Sequence, residues 1–281
     1  MKFSRNQFVK LGAICALLST LAINVPDRWI HQSVQAATTV IPGPLARLSR
    51  TAAANPIGYP DTISGLAFIW TADSITNLND GDSVTNWVDL KAGNIATASG
   101  TACPVWKTNQ AGSKPALVFD GTTDTMSVSN TMTLSITSGF TVISCWAYNG
   151  GVGTRYLLSR TGAGAGGIRI DVSAAQRFIY DGTAFPVSSP PGGTTTNFLV
   201  GGFRYSSANK AQFRQNVTPI GNPATALTTD IGLNVIGSYQ GSMQFFLGSL
   251  ESCLVYSREL SDAECDGIYS NWFKVRVSTL P

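Results

Sequence analysis

Histidine is nearly absent from this sequence: His31 is the only one in 281 residues. Glutamate is almost as scarce, because Glu251, Glu259 and Glu264 are its only occurrences and all lie near the C-terminus. The long stretch before them, from residue 37 onward, holds neither. A Ser-His-Asp triad and a histidine-ligated metal are therefore excluded there, since each needs an imidazole within reach. A glycosidase would have to work with aspartates alone, whereas the usual acid and base are two facing carboxylates. Charge is scarce too. Only 12% of residues are Asp, Glu, Lys or Arg, and the net charge is +3. That excess belongs to the N-terminal segment, which carries Lys2, Arg5, Lys10 and Arg28 against Asp27. The remainder is near neutral, so nucleic acid is not its expected partner. Long helical patterns are missing as well. In their place stand 28 Gly, 13 Pro and many small polar residues, the composition of one all-β domain of roughly 200–220 residues.

Residues 1–36 have the layout of an export signal. Lys2, Arg5 and Lys10 form a basic start, Leu11 to Ile23 is mainly apolar, and Pro26, Asp27 and Arg28 end the run. At about 1.5 Å per residue the run spans roughly 20 Å, short of the ~30 Å bilayer core, so no stable transmembrane segment is expected after removal of the leader. Val34-Gln35-Ala36 offers a small-x-small cleavage site, and Thr20-Leu21-Ala22 offers a second. The alternative is an N-terminal arm retained in an assembly. Residues 37–61, with Pro42, Pro44, Pro56 and Pro60 and no periodicity, read as a linker.

Residues 62–281 read as the folded domain. Gly65 to Trp70 and Ser83 to Asp89 are expected strands, with Asn79-Asp80-Gly81-Asp82 as the turn between them and Asn94 to Thr101 as a loop. Further strands are expected at Phe140–Tyr148, Arg155–Arg160, Gly167–Val172, Arg177–Tyr180, Asn197–Tyr205, Ala211–Gln215 and Asn234–Ser238. Short strands without intervening helices indicate an all-β, two-sheet antiparallel jelly-roll sandwich. Phe245 to Tyr256 reads as a strand buried on both faces. Strict alternation puts Phe246, Gly248, Leu250, Ser252, Leu254 and Tyr256 on one side, and Phe245, Leu247, Ser249, Glu251, Cys253 and Val255 on the other. A short C-terminal helix follows, opened by a Ser261/Glu264 capping box and a Leu260–Cys265 staple.

The run Val255-Tyr256-Ser257-Arg258-Glu259-Leu260-Ser261-Asp262-Ala263-Glu264 resembles the closing strand and helix of LamG-like, concanavalin A-type jelly-roll domains. Leu66, Trp70, Ala72-Asp73, Trp87 and Asp89 resemble the opening of such domains, with the acid displaced past the alanine. Lys114-Pro115-Ala116-Leu117-Val118-Phe119-Asp120-Gly121-Thr122-Thr123-Asp124 resembles a third block. The resemblance implies the concanavalin A-like lectin and glucanase fold, a glycan or cell-surface polymer as ligand, and Ca²⁺ on a sandwich rim. The glutamate pair of the glucanases, of the form E-x-D-x-x-E, is absent.

Asp120 and Asp124 bracket a turn with backbone carbonyls between them, an oxygen-rich arrangement suited to Ca²⁺. The same residues equally suit a turn in which the carboxylate accepts backbone amides. Sugar binding needs flat aromatic faces with polar neighbours. Tyr148, Arg155, Tyr180 and Asp181 are the candidates, while Trp70, Trp87, Trp146 and Trp272 read as core. After removal of the leader, Cys103, Cys145, Cys253 and Cys265 remain and permit two disulfides in any of three pairings, or buried free thiols. The expected protein is a non-catalytic carbohydrate-binding or adhesion module, secreted or at the cell surface. One alternative is a structural appendage or decoration protein of a phage virion or other assembly, bound to other subunits. A second is an aspartate-dependent glycoside hydrolase.

Overall fold

The computed structural model describes residues 59–150, 153–162, 166–171, 176–180, 187–188, 197–208, 210–220 and 226–281. The expected leader and most of the expected linker lie outside them. The strands are β1 Leu66–Thr71, β2 Asn86–Val88, β3 Ile95–Thr97, β4 Val105–Ala111, β5 Lys114–Asp120, β6 Met126–Leu134, β7 Phe140–Tyr148 and β8 Thr154–Ser159. They continue with β9 Gly167–Asp171, β10 Gln176–Tyr180, β11 Val187–Ser188, β12 Leu199–Ser206, β13 Lys210–Gln215, β14 Thr218–Ile220, β15 Ile231–Ile236 and β16 Leu247–Tyr256. All pairings are antiparallel, in two sheets. One runs β14-β13-β12-β7-β16-β5-β4, with β1 also on β16; the other runs β11-β10-β9-β8-β15-β6-β3-β2. This is the expected two-sheet sandwich.

The sequence reading placed Asn94–Thr101 in a loop, but Ile95–Thr97 forms β3 between β2 and β6. Only Ala96 of that strand is buried, so three residues with two exposed flanks carried too little hydrophobic signal. β15 likewise begins at Ile231 rather than Asn234, because Gly232 and Asn234 dilute its alternation.

Strand β16 is the spine of the molecule. One edge pairs with β7 along its length; the other pairs first with β5 and then with β1. A bulge between Leu250 and Ser252 interrupts the register. A bulge adds one residue and so inverts the alternation beyond it. Phe246 and Leu250 therefore face the core between the sheets, but after the bulge that role passes to Cys253 and Val255. Leu254 and Tyr256 face the opposite way, into a second cluster with the C-terminal segment. Uninterrupted alternation thus holds only as far as Leu250.

That second cluster makes a third layer. Helix α1 spans Asp262–Ile268, continues through a π turn at Tyr269–Phe273, and ends in α2 Lys274–Arg276. The capping box forms as expected, with Ser261 N–H donating to Glu264 Oε2 at 2.8 Å and Glu264 N–H to Ser261 Oγ at 3.3 Å. Leu260, Cys265, Ile268, Trp272 and Phe273 bury against Ile143, Cys145 and Leu254 on the outer face of the first sheet. Each such large side chain contributes about 1.5–3 kcal/mol of transfer free energy. Arg258, in the segment that carries the family resemblance, pairs with Glu264 and donates to the Ser64 carbonyl at 2.9 Å. It ties the start of the domain to the closing helix, which is a structural role. Among the described residues, Cys103, Cys145, Cys253 and Cys265 are free and buried. Cys253 faces the inter-sheet core and Cys265 sits in the third layer, so the closing strand is not stapled to its helix.

Candidate functional site

One end of the sandwich gathers three connections: the β5–β6 turn, the start of β8, and the β15–β16 hairpin. Arg155 holds them together, its Nη1 donating to the Gly121 and Phe245 carbonyls at 3.2 Å each. Two residue sets that the sequence suggested separately, Arg155 and the Asp120–Asp124 turn, are therefore neighbours.

The turn is closed on itself. Asp120 accepts from the backbone amides of Thr122 and Thr123 at 2.8 Å and of Asp124 at 3.0 Å, and from both threonine hydroxyls. Burial pushes its carboxyl upward, but these donors outweigh it and hold the group well below the usual carboxylate range. Asp124 is buried, and its Oδ2 accepts the Asp120 amide at 2.8 Å. Burial first, with the neighbouring Asp120 charge adding to it against that hydrogen bond, raises its pKa to about 6. Such a pair, with the Asp120 oxygens taken by donors of its own turn and Asp124 Oδ2 by the Asp120 amide, does not fit a calcium site. Nor do the described residues contain three or more His, Cys, Asp or Glu side chains placed to hold a metal.

This pair makes a pH-dependent prediction. A carboxyl whose folded pKa is raised contributes its stability below the unfolded pKa of about 3.9 and loses it as pH climbs through 6. Asp124→Asn keeps an acceptor for the Asp120 amide and removes the charge. Urea unfolding at pH 8 is expected to show the variant more stable by about 1–2 kcal/mol, with the difference shrinking towards pH 4. A variant destabilised equally at both values would contradict this account.

Tyr148, expected at a wet strand end, is fully buried against Phe246, and its hydroxyl has no hydrogen-bond partner among the described residues. It belongs to the core. The backbone of Tyr180 pairs with Gly167, which pairs in turn with Ser159. Tyr180 thus lies at the far end of β8 from Arg155, and its side chain is not among those described. Asp181 lies outside the described residues. Trp70, Trp87 and Trp272 are buried, and Trp146 faces the inter-sheet core.

The hairpin that joins β15 to β16 carries a surface the sequence reading did not single out. Tyr239 and Met243 pair across it, and the Tyr239 ring lies 4.5 Å from that of Tyr156 at an interplanar angle of 32°. Tyr156 is buried, Tyr239 half-buried, and Met243 is 47% exposed. Gln240 and Gln244 adopt φ of +56° and +51°, on either side of Gly241 at +76°. Non-glycine residues in this region cost free energy, and such strain clusters at ligand-binding positions. Hydrogen bonds fix the hairpin along β8. Ser159 Oγ donates to the Ser238 carbonyl at 2.7 Å and accepts from Gln240 N–H at 3.1 Å, while Gln240 Nε2 reaches the Gly162 carbonyl at 3.1 Å. The result is an aromatic platform edged by amides, with Asn234 and Thr161 bonded to each other alongside. The only hints in the sequence are the Gln-Gly pair and a lone tyrosine between polar residues.

No family model and no curated protein matches the chain. Among solved structures, Trypanosoma rangeli sialidase in complex with 2,3-difluorosialic acid is similar at 13% identity and a TM-score of 0.51, over 86% of this chain and 37% of that one. The same sialidase in complex with 2,3-difluoro-KDN gives equal values. The CBM40 of Ruminococcus gnavus IT-sialidase, at 21% identity over 48% of this chain and 84% of that one, has a TM-score of 0.40. The chain spans little more than a third of the length of the sialidases it matches. At these identities the likeness extends to the fold alone.

Proposed function

We propose that the domain is a non-catalytic carbohydrate-binding module that acts outside the cell, as the LamG-like resemblance implies. The observation that carries the reading is the strained β15–β16 hairpin, which presents Tyr239 with Gln240, Gln244 and Met243 at the sandwich rim. A tyrosine ring takes the apolar face of a sugar, and side-chain amides both donate to and accept from its hydroxyls. A sialidase of similar fold has been captured with sialic acid derivatives, which agrees with a sugar ligand. The non-catalytic reading is supported by several carboxylates of the described residues being spent on the fold. Glu251 is buried against Arg276, Glu264 is paired with Arg258, and Asp89 accepts the Ile69, Lys91 and Ala92 amides. None of these is poised to act as acid or base on a substrate.

A glycan array probed with the full chain, with and without EDTA, tests the proposal. Binding to at least one glycan class is expected in both conditions and should fall at least tenfold in Tyr239→Ala. An array without signal in either condition would sink the carbohydrate reading, and binding untouched by Tyr239→Ala would move the site elsewhere.

A further inference from the structure

Seven arginine side chains are described, and six are built into the fold. Arg155 bonds the Gly121 and Phe245 carbonyls, and Arg169 donates to Thr154 Oγ1 at 2.8 Å. Arg204 and Arg214 both engage Asp262, Arg258 pairs with Glu264, and Arg276 pairs with Glu251 and Asp73. Arg160 is different. It is exposed, and its guanidinium has no carboxylate, carbonyl or hydroxyl partner among the described residues. A guanidinium carries five donors in a planar fork matched to a carboxylate or another oxyanion.

Its position is specific. A Cβ on Gly232 would stand 2.8 Å from Arg160 Cδ and 3.0 Å from Thr131 Cγ2, so Arg160 lies across the bare backbone of β15, beside Thr131. It follows Ser159, which anchors the hairpin, and precedes Thr161, whose amide is held by Asn234 Oδ1 at 2.9 Å. Gln240 spans the same stretch from Ser159 to Gly162. Arg160 thus lies in the chain between the residues that Gln240 bonds, Ser159 and Gly162, with its side chain running over Gly232.

We propose that the site takes an anionic glycan, with Arg160 receiving the carboxylate or sulfate of the sugar while Tyr239 and Gln240 receive its ring. This deepens the carbohydrate reading and rests on it. A charge-assisted, bidentate contact is roughly twice as strong as a neutral one, enough for a tenfold preference or more.

The test compares neutral, carboxylate-bearing and sulfated oligosaccharides with the full-length protein, using titration calorimetry at two salt concentrations. Wild type is expected to prefer an anionic class at least tenfold over neutral sugars, with the preference weakening at higher salt. Arg160→Gln should bring the anionic-to-neutral ratio towards one, with its thermal midpoint unchanged. Gly232→Ala should lower the ratio by displacing the guanidinium without removing it. A preference for either carboxylate or sulfate supports the proposal and identifies the group. Equal affinity for charged and neutral sugars, or a preference that survives in Arg160→Gln, overturns the assignment of Arg160 and leaves the carbohydrate reading standing. Binding of none of the three classes overturns both.

Discussion

Replacing Arg276 by methionine is expected to lower the unfolding free energy by about 3–5 kcal/mol. Glu251 is fully buried at the bulge of β16, where Arg276 donates to its Oε1 at 2.5 Å and Ser252 Oγ to its Oε2 at 2.5 Å. Arg276 also reaches Asp73 Oδ1 at 2.8 Å and lies 4.7 Å above the Trp272 ring. Burial pushes the Glu251 carboxyl up, against the pull of Arg276. Burial acts upward on Asp73 too, yet Arg276, with help from Thr71 and Lys114, holds it at about 2. Methionine would fill much of the same space but leave the glutamate without its counter-charge in a dry site. Its folded pKa would then rise further above the unfolded value. The stability tied to it is present at low pH and lost as pH rises, so the variant should be least impaired near pH 5 and most impaired at pH 8. Urea unfolding at the two values measures this. Adding Glu251→Gln to Arg276→Met should recover about half the loss, because removing both charges of a buried pair costs far less than removing one. A loss independent of pH between 5 and 8 would mean that Arg276 acts through its pair with Asp73 and its packing on Trp272 rather than through Glu251.

This network also marks where the sequence could be read and where it could not. The strand β16, the helix after it and the Ser261/Glu264 cap were all legible, because each is written in neighbouring residues: a run of apolar side chains, a capping hydroxyl, a glutamate three positions on. The bulge at Glu251 was not. At it Glu251 meets Arg276, the last residue of α2, and no local pattern announces that encounter. Once the bulge is present, every face assignment past Leu250 inverts. The sheet that holds β3 shows a related limit. Ile95–Thr97 is a strand because β2 and β6 flank it, so its pairing lies in its partners rather than in its own three residues.

The candidate site follows the same division. Asp120 and Asp124 stood out as oxygen-bearing residues around a turn, and the turn is real. What decides its chemistry is that Thr122, Thr123 and the Asp124 amide consume the Asp120 oxygens, a matter of backbone geometry. Tyr148 was placed correctly on the face of Phe140, Val142 and Trp146, but its exposure depended on Phe246 from a distant strand. The hairpin surface around Tyr239 escaped notice because its aromatic partner, Tyr156, lies on another strand. Arg160 stands out only when the other arginines have been assigned partners, and that needs the full set of contacts.

Gly237→Ala is expected to cost about 3–5 kcal/mol, and Gly241→Ala, four residues away, only about 1 kcal/mol. Both glycines have left-handed backbones, with φ of +89° and +76°. The difference lies in what surrounds them. A Cβ on Gly237 would stand 2.3 Å from Cε1 and 2.5 Å from Cδ1 of Phe119, a fully buried ring set edge-on to Phe246 at 5.8 Å. Neither ring can retreat without opening the inter-sheet core, so overpacking adds to the backbone strain. Gly237 also donates to the Leu157 carbonyl at 2.9 Å and accepts from the Phe246 amide at 2.7 Å, which fixes its backbone in place. A Cβ on Gly241 would meet nothing within 4 Å, so only the strain remains. Thermal unfolding of the two variants measures the gap, and Phe119→Leu added to Gly237→Ala should recover part of the larger loss. Equal losses at the two positions would contradict the division drawn here. If the gap is found, the base of the hairpin belongs energetically to the core, whereas its tip is free of packing demands. The positive φ angles of Gln240 and Gln244 would then belong to the turn and its hydrogen bonds along β8 rather than to core packing.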